Sequence, residues 1–366
     1  MVGVRTDDII KVIVVDDSPF MRKILTDILN SDANINVIGT ARNGREAVDI
    51  VGRLKPDVVT LDIEMPIMNG IDALKNIMEF HPVPIVMLSG LTFEGGKATM
   101  RALELGAIDF IQKPTNIFKT NSSDLKNEII GKIKAAHYAK IIQKSDLAAK
   151  LKGPPPIKGF KPRTPMQGVH RVNNLIAIAV STGGPRALQH IIPLIPKNFP
   201  ASFLVVQHMP KGFTKILAER LDSLSQVNVK EAKDKEEIRE GHVYVAPGDY
   251  HLEIVENQAR NLFVQLSQKE LVSGHRPSAD VMFRSISNLK ANHMNIMGVI
   301  MTGMGSDGTK GLVELKSRTS AHIVAQDEAS SVVFGMPKSA INAGIVDEIV
   351  PLEKILDVIV NRVGVS

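Results

Sequence analysis

At 366 residues the chain is too long for one hydrophobic core and long enough for two domains, each burying its own. With 44% hydrophobic and 23% charged residues the composition argues against a disordered chain. The absence of cysteine excludes disulfides, thiolate metal sites and cysteine nucleophiles. A formal net charge of +5, with 4% aromatic residues, is too modest and too poor in stacking groups to define a nucleic-acid surface.

Met1 to Ile10 carries Arg5, Asp7 and Asp8 and no long apolar stretch, so it does not read as a signal peptide. No window approaches the ~18 apolar residues of a membrane span. A cytoplasmic chain with no membrane insertion is expected.

In chain order, Lys11 to Val15 reads as a buried strand ending in Asp16 and Asp17, and Pro19 to Leu29 as a helix. Asn36 to Gly39 is a strand, Gly44 to Leu54 a helix, and Asp57 to Leu61 a strand ending at Asp62. Then come a helix over Gly70 to Phe80, a strand over Pro84 to Leu88, a helix over Gly96 to Leu105 and a strand over Ile108 to Ile111. A long helix over Asp124 to Lys144 follows. Five β/α repeats of this length predict a parallel, doubly wound sheet. From Ser145 to Val172 the pattern dissolves into prolines set among basic residues, which predicts an extended tether.

A second α/β pattern opens with a strand over Leu175 to Val180, a helix over Pro185 to Ile192, a strand over Ser202 to Val206 and a helix over Phe213 to Leu224. Val243 to Ala246, His251 to Val255 and Leu262 to Leu266 have antiparallel character. Ile296 to Met301 and Ala321 to Ala325 read as strands, Asp307 to Lys316 and Leu352 to Val360 as helices. The expectation is α/β throughout: a domain over 1–128, a helix end and linker over 129–171, and a mainly parallel domain with an antiparallel β insertion over 172–366.

In parallel α/β sheets functional groups collect at the carboxyl ends of strands. Asp16, Asp17, Asp62, Ser89 and Lys113 all stand at such ends. Clustered carboxylates repel one another and favour a hard cation such as Mg²⁺, and a carboxylate beside such an ion can accept a phosphoryl group. Any one of these aspartates alone would more often be a helix cap or turn former; five groups at the strand ends of one sheet would not. Val14-Val15-Asp16-Asp17-Ser18, Leu61-Asp62-Ile63-Glu64-Met65-Pro66, Met87-Leu88-Ser89 and Gln112-Lys113-Pro114 resemble the receiver domain of two-component response regulators over roughly residues 10–128. The resemblance implies that Asp62 is the phosphoacceptor and that Asp16, Asp17 and Asp62 hold Mg²⁺. It further implies that Ser89 and Lys113 contact the phosphoryl group, that Phe110 is the switch aromatic, and that Lys113-Pro114 is a cis peptide.

Ala177-Ile178-Ala179-Val180-Ser181-Thr182-Gly183-Gly184-Pro185 places a serine on a strand-to-helix turn, where backbone N–H groups and the helix dipole can stabilise an oxyanion. Ala-x-Ser-x-Gly misses the hydrolase elbow at its first position, and a plain helix cap fits the same residues. His208 ends the next strand and is the candidate base; Asp307 follows a later strand and is the candidate orienting acid. Gly303-x-Gly305-x-x-Gly308 also matches the dinucleotide fingerprint, with Asp327 downstream. Against that reading, Asp307 would set a negative charge where the pyrophosphate belongs. Gly95-Gly96-Lys97-Ala98 lacks the leading Gly and the Ser/Thr of a P-loop and reads as a helix start.

Ser181 to Pro185, Gln207-His208-Met209-Pro210, Ala246-Pro247-Gly248-Asp249, Thr302 to Gly308 and Gly335-Met336-Pro337 together resemble the chemotaxis protein-glutamate methylesterases over about residues 172–364. The departure is Ala179, where that family usually has Gly. The resemblance implies Ser181 as nucleophile, His208 as base and Asp307 as orienter, with Thr182 and the Met304 amide beside the oxyanion. It implies hydrolysis of glutamyl methyl esters with release of methanol, glutamine deamidation at the same site, and no cofactor for the esterase reaction. Chemoreceptors are the expected substrate and a chemotaxis histidine kinase the phosphodonor, for a monomer whose unphosphorylated receiver covers the Ser181 cleft. A phospho-dependent binding module without catalysis, or a nucleic-acid output, are the other classes; no basic recognition helix is evident for the latter.

Overall fold

The computed structural model describes residues 9–90, 92–113, 123–139, 172–290 and 294–364. The proline-rich stretch up to residue 171 lies outside them, as does Pro114 with the expected cis peptide. The chain divides into two compact units, within residues 1–147 and 148–366.

In the first unit, strands β1 (Ile10–Val15), β2 (Ile35–Ala41), β3 (Val58–Asp62), β4 (Ile85–Ser89) and β5 (Asp109–Gln112) alternate with helices. These are α1 (Pro19–Asn30), α2 (Gly44–Leu54), α3 (Gly70–Phe80), α4 (Phe93–Leu105) and α5 (Ser123–His137). The strand order is β2-β1-β3-β4-β5, and every pairing is parallel. β3 and β4 are buried along their whole length, which is why they read as continuous apolar runs. Side chains cap the helices just beyond the strands: Ser18, Asn43, Asn69 and Thr92 each accept from the amide three residues on, at 3.3, 2.9, 2.9 and 2.9 Å. The order reverses between β1 and β3, so Asp16 and Asp62 face one crevice.

The second unit begins with β6 (Asn174–Val180), α6 (Gly184–Ile191), β7 (Ser202–Gln207), α7 (Phe213–Leu224), β8 (Asn228–Glu231) and β9 (His242–Val245). There follow β10 (His251–Glu256), β11 (Leu262–Ser267), α8 (Ala279–Ser287), β12 (Asn295–Ile300), α9 (Thr309–Arg318) and β13 (His322–Gln326). α10 (Met336–Asn342), β14 (Glu348–Val350) and α11 (Ile355–Val363) complete it. Seven strands form a wholly parallel sheet ordered β14-β13-β12-β6-β7-β9-β8.

Two expectations need correction. Val243 to Ala246 is not part of an antiparallel insertion: β9 pairs in parallel with both β7 and β8. Only β10 and β11 are antiparallel, paired from His251↔Ser267 to Glu256↔Leu262. The short run His-Val-Tyr-Val carries no information on direction; what settles it is burial of Val243, Tyr244 and Val245 within the main sheet. The helix expected from Asp307 starts at Thr309, leaving Asp307 in the preceding turn.

The β10–β11 hairpin turns Leu252, Ile254, Leu262 and Val264 into the same core cluster as Met282, Phe283 and Ile286 of α8. This cluster anchors α8, whose N-terminus faces the carboxyl end of the main sheet. Phe283 is fully buried, so Phe283→Ala should cost the second unit about 3–5 kcal/mol. Chemical denaturation followed by unit-specific probes checks this, with the first unit's own transition expected unchanged.

Candidate functional site

In the seven-stranded sheet the order reverses between β6 and β12, and Ser181 directly follows β6 at that point. Its amide donates to the Thr302 carbonyl beyond β12 at 3.0 Å. The Gly184 amide donates back to the Ser181 carbonyl at 2.7 Å, closing a tight turn into α6. Gly183 in that turn has φ +77° and faces Val332, whose Cβ would lie 2.6 Å from an added Cβ. Ala179 lies inside β6 and is fully buried, so the departure from glycine there does not touch the turn.

The register β6–β7 pairs Val180 with Gln207, which sets Ser181 and His208 side by side as the next residues of neighbouring strands. The Gln207 side chain ties the two together, donating to the Ser181 carbonyl at 3.1 Å and the His208 carbonyl at 3.2 Å. The His208 side chain is 7% exposed and places Nε2 2.8 Å from Asp307 Oδ2. The other ring nitrogen, Nδ1, is buried with no hydrogen-bond partner. No hydrogen bond joins the Ser181 hydroxyl to the ring among the described residues; such bonds are often loose before substrate binds.

Asp307 is held from the far side by the start of α8. The Ser278 hydroxyl donates to Oδ1 at 2.6 Å, the Ala279 amide to Oδ2 at 2.6 Å and the Asp280 amide to Oδ1 at 3.3 Å. Burial acts to raise the Asp307 carboxyl, but the His208 ring, the Ser278 hydroxyl and the Ala279 amide outweigh it and hold it at about 2. Asp280 behind it is pushed up by burial and by the Asp307 charge, against the pull of the Gly311 amide. Buried His251 accepts from the Ser278 amide at 3.3 Å and pairs with the Glu270 carbonyl at 2.9 Å, fixing the α8 entry.

Within the Gly303-x-Gly305-x-x-Gly308 turn, Gly303 serves close approach. A Cβ on Gly303 would lie 2.8 Å from Ser181 Cβ and 2.4 Å from Met336 Sδ. Thr302 braces the loop, its hydroxyl donating to the Thr182 carbonyl at 2.9 Å and its amide to Gln326 Oε1 at 2.8 Å. The Met304 amide, in the residue after Gly303, has no partner among the described residues. Sequence reading missed Ser278, Ala279, His251, Gln326 and also His275, whose ring lies against His208; none falls in a motif with a chemical signature.

In the first unit, carboxylate oxygens of Asp16, Asp17 and Asp62 lie within 4.8 Å of one another. Lys113 Nζ makes ion-pair contacts with Asp16 Oδ2 at 2.8 Å and Asp62 Oδ2 at 2.7 Å. These leave both buried oxygens without an aligned hydrogen bond. Burial raises Asp62 to about 6, against the Lys113 charge and with the neighbouring Asp16 adding to the rise. Three carboxylates facing one ammonium are under-compensated, and this oxygen-only donor set fits a small divalent cation such as Mg²⁺. Ser89 is buried and engaged with α4: Thr99 Oγ1 donates to its hydroxyl at 2.7 Å. Phe110 is buried, and Lys132 of α5 donates to its carbonyl at 2.5 Å with its ammonium 4.9 Å from the ring centroid.

An acidic pocket of receiver type, followed by a separate α/β unit with a serine, an imidazole and a carboxylate at its switch point, places the chain among response regulators that carry an enzymatic output. The family profile described as CheB methylesterase matches residues 176–359, and that of the response regulator receiver domain residues 12–121. A protein-glutamate methylesterase/protein-glutamine glutaminase of Pyrococcus abyssi is 49% identical over 356 residues, 97% of this chain and 94% of that one. Its Bacillus subtilis namesake is 44% identical over 349 residues, 94% and 96%. The crystal structure of the Thermotoga maritima CheB methylesterase catalytic domain is 44% identical and covers 51% of this chain and 97% of its own, with a TM-score of 0.49. The chain belongs to the CheB methylesterase family. No described helix is long and apolar enough to cross a membrane.

Between pH 4 and 6 the folded metal-free receiver keeps a proton that the unfolded chain has released, so its stability falls as pH rises through that window. The loss approaches about 3 kcal/mol above it. Asp62→Asn should therefore raise the receiver's unfolding midpoint in metal-free buffer at pH 7.5 and leave it little changed near pH 4. Thermal unfolding at the two pH values checks this.

Proposed function

We propose that this chain is a phosphorylation-activated hydrolase that removes methyl groups from glutamyl γ-methyl esters on chemoreceptors in the cytoplasm, and deamidates receptor glutamines at the same site. The observation that carries the reading is the division of labour on His208: Nε2 faces a carboxylate held at about 2, while Nδ1 is buried without a partner.

The Asp307 carboxylate keeps the ring proton on Nε2, so that Nδ1 presents its lone pair to the Ser181 hydroxyl. Ser181 Oγ adds to the ester carbonyl as its proton passes to Nδ1, and the Met304 amide, with Thr182 alongside, stabilises the oxyanion. Collapse breaks the C–OCH₃ bond; the proton on Nδ1 moves to the departing oxygen and methanol leaves. Water then adds to the acyl-enzyme with Nδ1 again taking the proton, and collapse returns Ser181 and the glutamate. With an amide the same sequence releases ammonia. No group in this sequence calls for a cofactor.

On the receiver, Asp62 is the proposed phosphoacceptor, with a chemotaxis histidine kinase as donor. Asp16, Asp17 and Asp62 would hold Mg²⁺, which supplies charge neutralisation for phosphoryl transfer. Lys113 already lies within ion-pair distance of Asp16 and Asp62. Ser89 would turn from Thr99 to meet the phosphoryl group, and Phe110 would report the change.

Ser181→Ala should abolish methanol release from methylated receptor while Asp62 still takes up phosphate; retained turnover would remove Ser181 from this role. Asp307→Asn should lower kcat by about 10³–10⁴. Asp62→Ala should lose stimulation by a phosphodonor and keep the unstimulated rate, and stimulation equal to wild type would contradict the regulatory assignment.

A further inference from the structure

His275 lies in the segment between β11 and α8, outside every motif that the proposed reaction uses. Its imidazole is stacked face to face on that of His208, with ring centroids 3.9 Å apart and planes inclined by 9°. The backbone that carries it is fixed on both sides. Val272 and His275 exchange amide-to-carbonyl hydrogen bonds at 2.9 and 3.2 Å, closing a tight turn. The next residue, Arg276, binds Asp249 Oδ1 at 2.6 Å and the Lys269 carbonyl at 2.9 Å, and its own carbonyl accepts from the Asp249 amide. Two and three residues further on, Ser278 and Ala279 hold Asp307. One short segment thus grips both the imidazole, through its face, and the carboxylate that orients it.

We infer that His275 is a positioning residue for the reaction proposed above: its ring face holds the His208 plane so that Nε2 stays on Asp307 and Nδ1 stays toward Ser181. The need for such a clamp follows from the geometry. His208 has one in-plane hydrogen bond, at Nε2; held there and at Cβ, the ring can still tilt about the line that joins the two points. A flat partner at van der Waals distance stops that tilt without competing for Nδ1, which a hydrogen-bonding neighbour would do. The π face has a second effect. While His208 carries the proton taken from Ser181 it is an imidazolium, and an aromatic face against it is an attractive neighbour.

The ring, rather than a proton on His275, is what matters in this account, and that separates the variants. His275→Ala and His275→Gln should each lower kcat for methanol release about 10- to 100-fold with KM little changed. His275→Phe, which keeps a flat aromatic face and cannot titrate, should recover most of kcat. Because the inference rests on the esterase reading, a second measurement stands apart from turnover: ring ¹⁵N spectra of the full-length protein, with the His208 signals assigned by their loss in His208→Gln. Wild type and His275→Phe should show a single tautomer protonated at Nε2. His275→Ala should show signals averaged between tautomers. Wild-type protein without esterase activity but with this ¹⁵N pattern would overturn the reaction and leave the clamp standing. Unchanged kcat and unchanged ¹⁵N signals in His275→Ala, or a His275→Phe as impaired as His275→Ala, would overturn the clamp.

Discussion

The arrangement in the second unit depends on one contact, the 2.8 Å approach of His208 Nε2 to Asp307 Oδ2. A carboxylate this deeply buried is costly to ionise unless donors surround it. Here the donors come from the first turn of α8, where free amides and the helix dipole already favour an anion. That helix is in turn seated by the β10–β11 hairpin through Leu252, Ile254, Leu262 and Val264. The antiparallel insertion therefore acts as a prop: it seats the helix whose first turn holds Asp307 against His208. Ser181 and His208 need less support, because neighbouring strands in fixed register deliver them to the same rim.

The two units apply the same physics to opposite ends. Burial pushes both Asp62 and Asp307 toward the neutral form. Asp307 meets an imidazole, a hydroxyl and backbone amides and ends at about 2; Asp62 shares one lysine with Asp16 and ends at about 6. Asp307 is saturated with donors, whereas the buried Asp62 oxygen is left short of them. Each site lies where its sheet reverses direction, β1 against β3 and β6 against β12, which is where open α/β sheets leave a crevice.

Much of this is legible from the chain. Parallel strands buried on both faces print as apolar runs, and the polar residues ending each run mark the rim: Val15-Asp16, Leu61-Asp62, Val180-Ser181, Val206-Gln207-His208. The acid is legible as a residue after a strand, although its helix starts two residues later than expected, which frees Asp307 to face α8. What stays hidden acts through space. Ser278, His251 and His275 sit in or beside a segment with no motif, and only the folded hairpin and helix bring them to His208 and Asp307. β9 is hidden in another way, since four residues show that a strand exists but not which way it runs. The edge strand β8 is too short and polar, and β14 too short, to register as runs.

The central claim is that Ser181 is activated by an imidazole whose proton is pinned by Asp307. A serine-directed fluorophosphonate tests it most directly, with the modified peptide located by mass spectrometry and the rate followed in wild type and in Asp307→Asn. One adduct, on Ser181, formed at least a hundredfold faster in wild type than in the variant, is the result expected. An adduct on another residue, or equal rates in the two proteins, would contradict the claim.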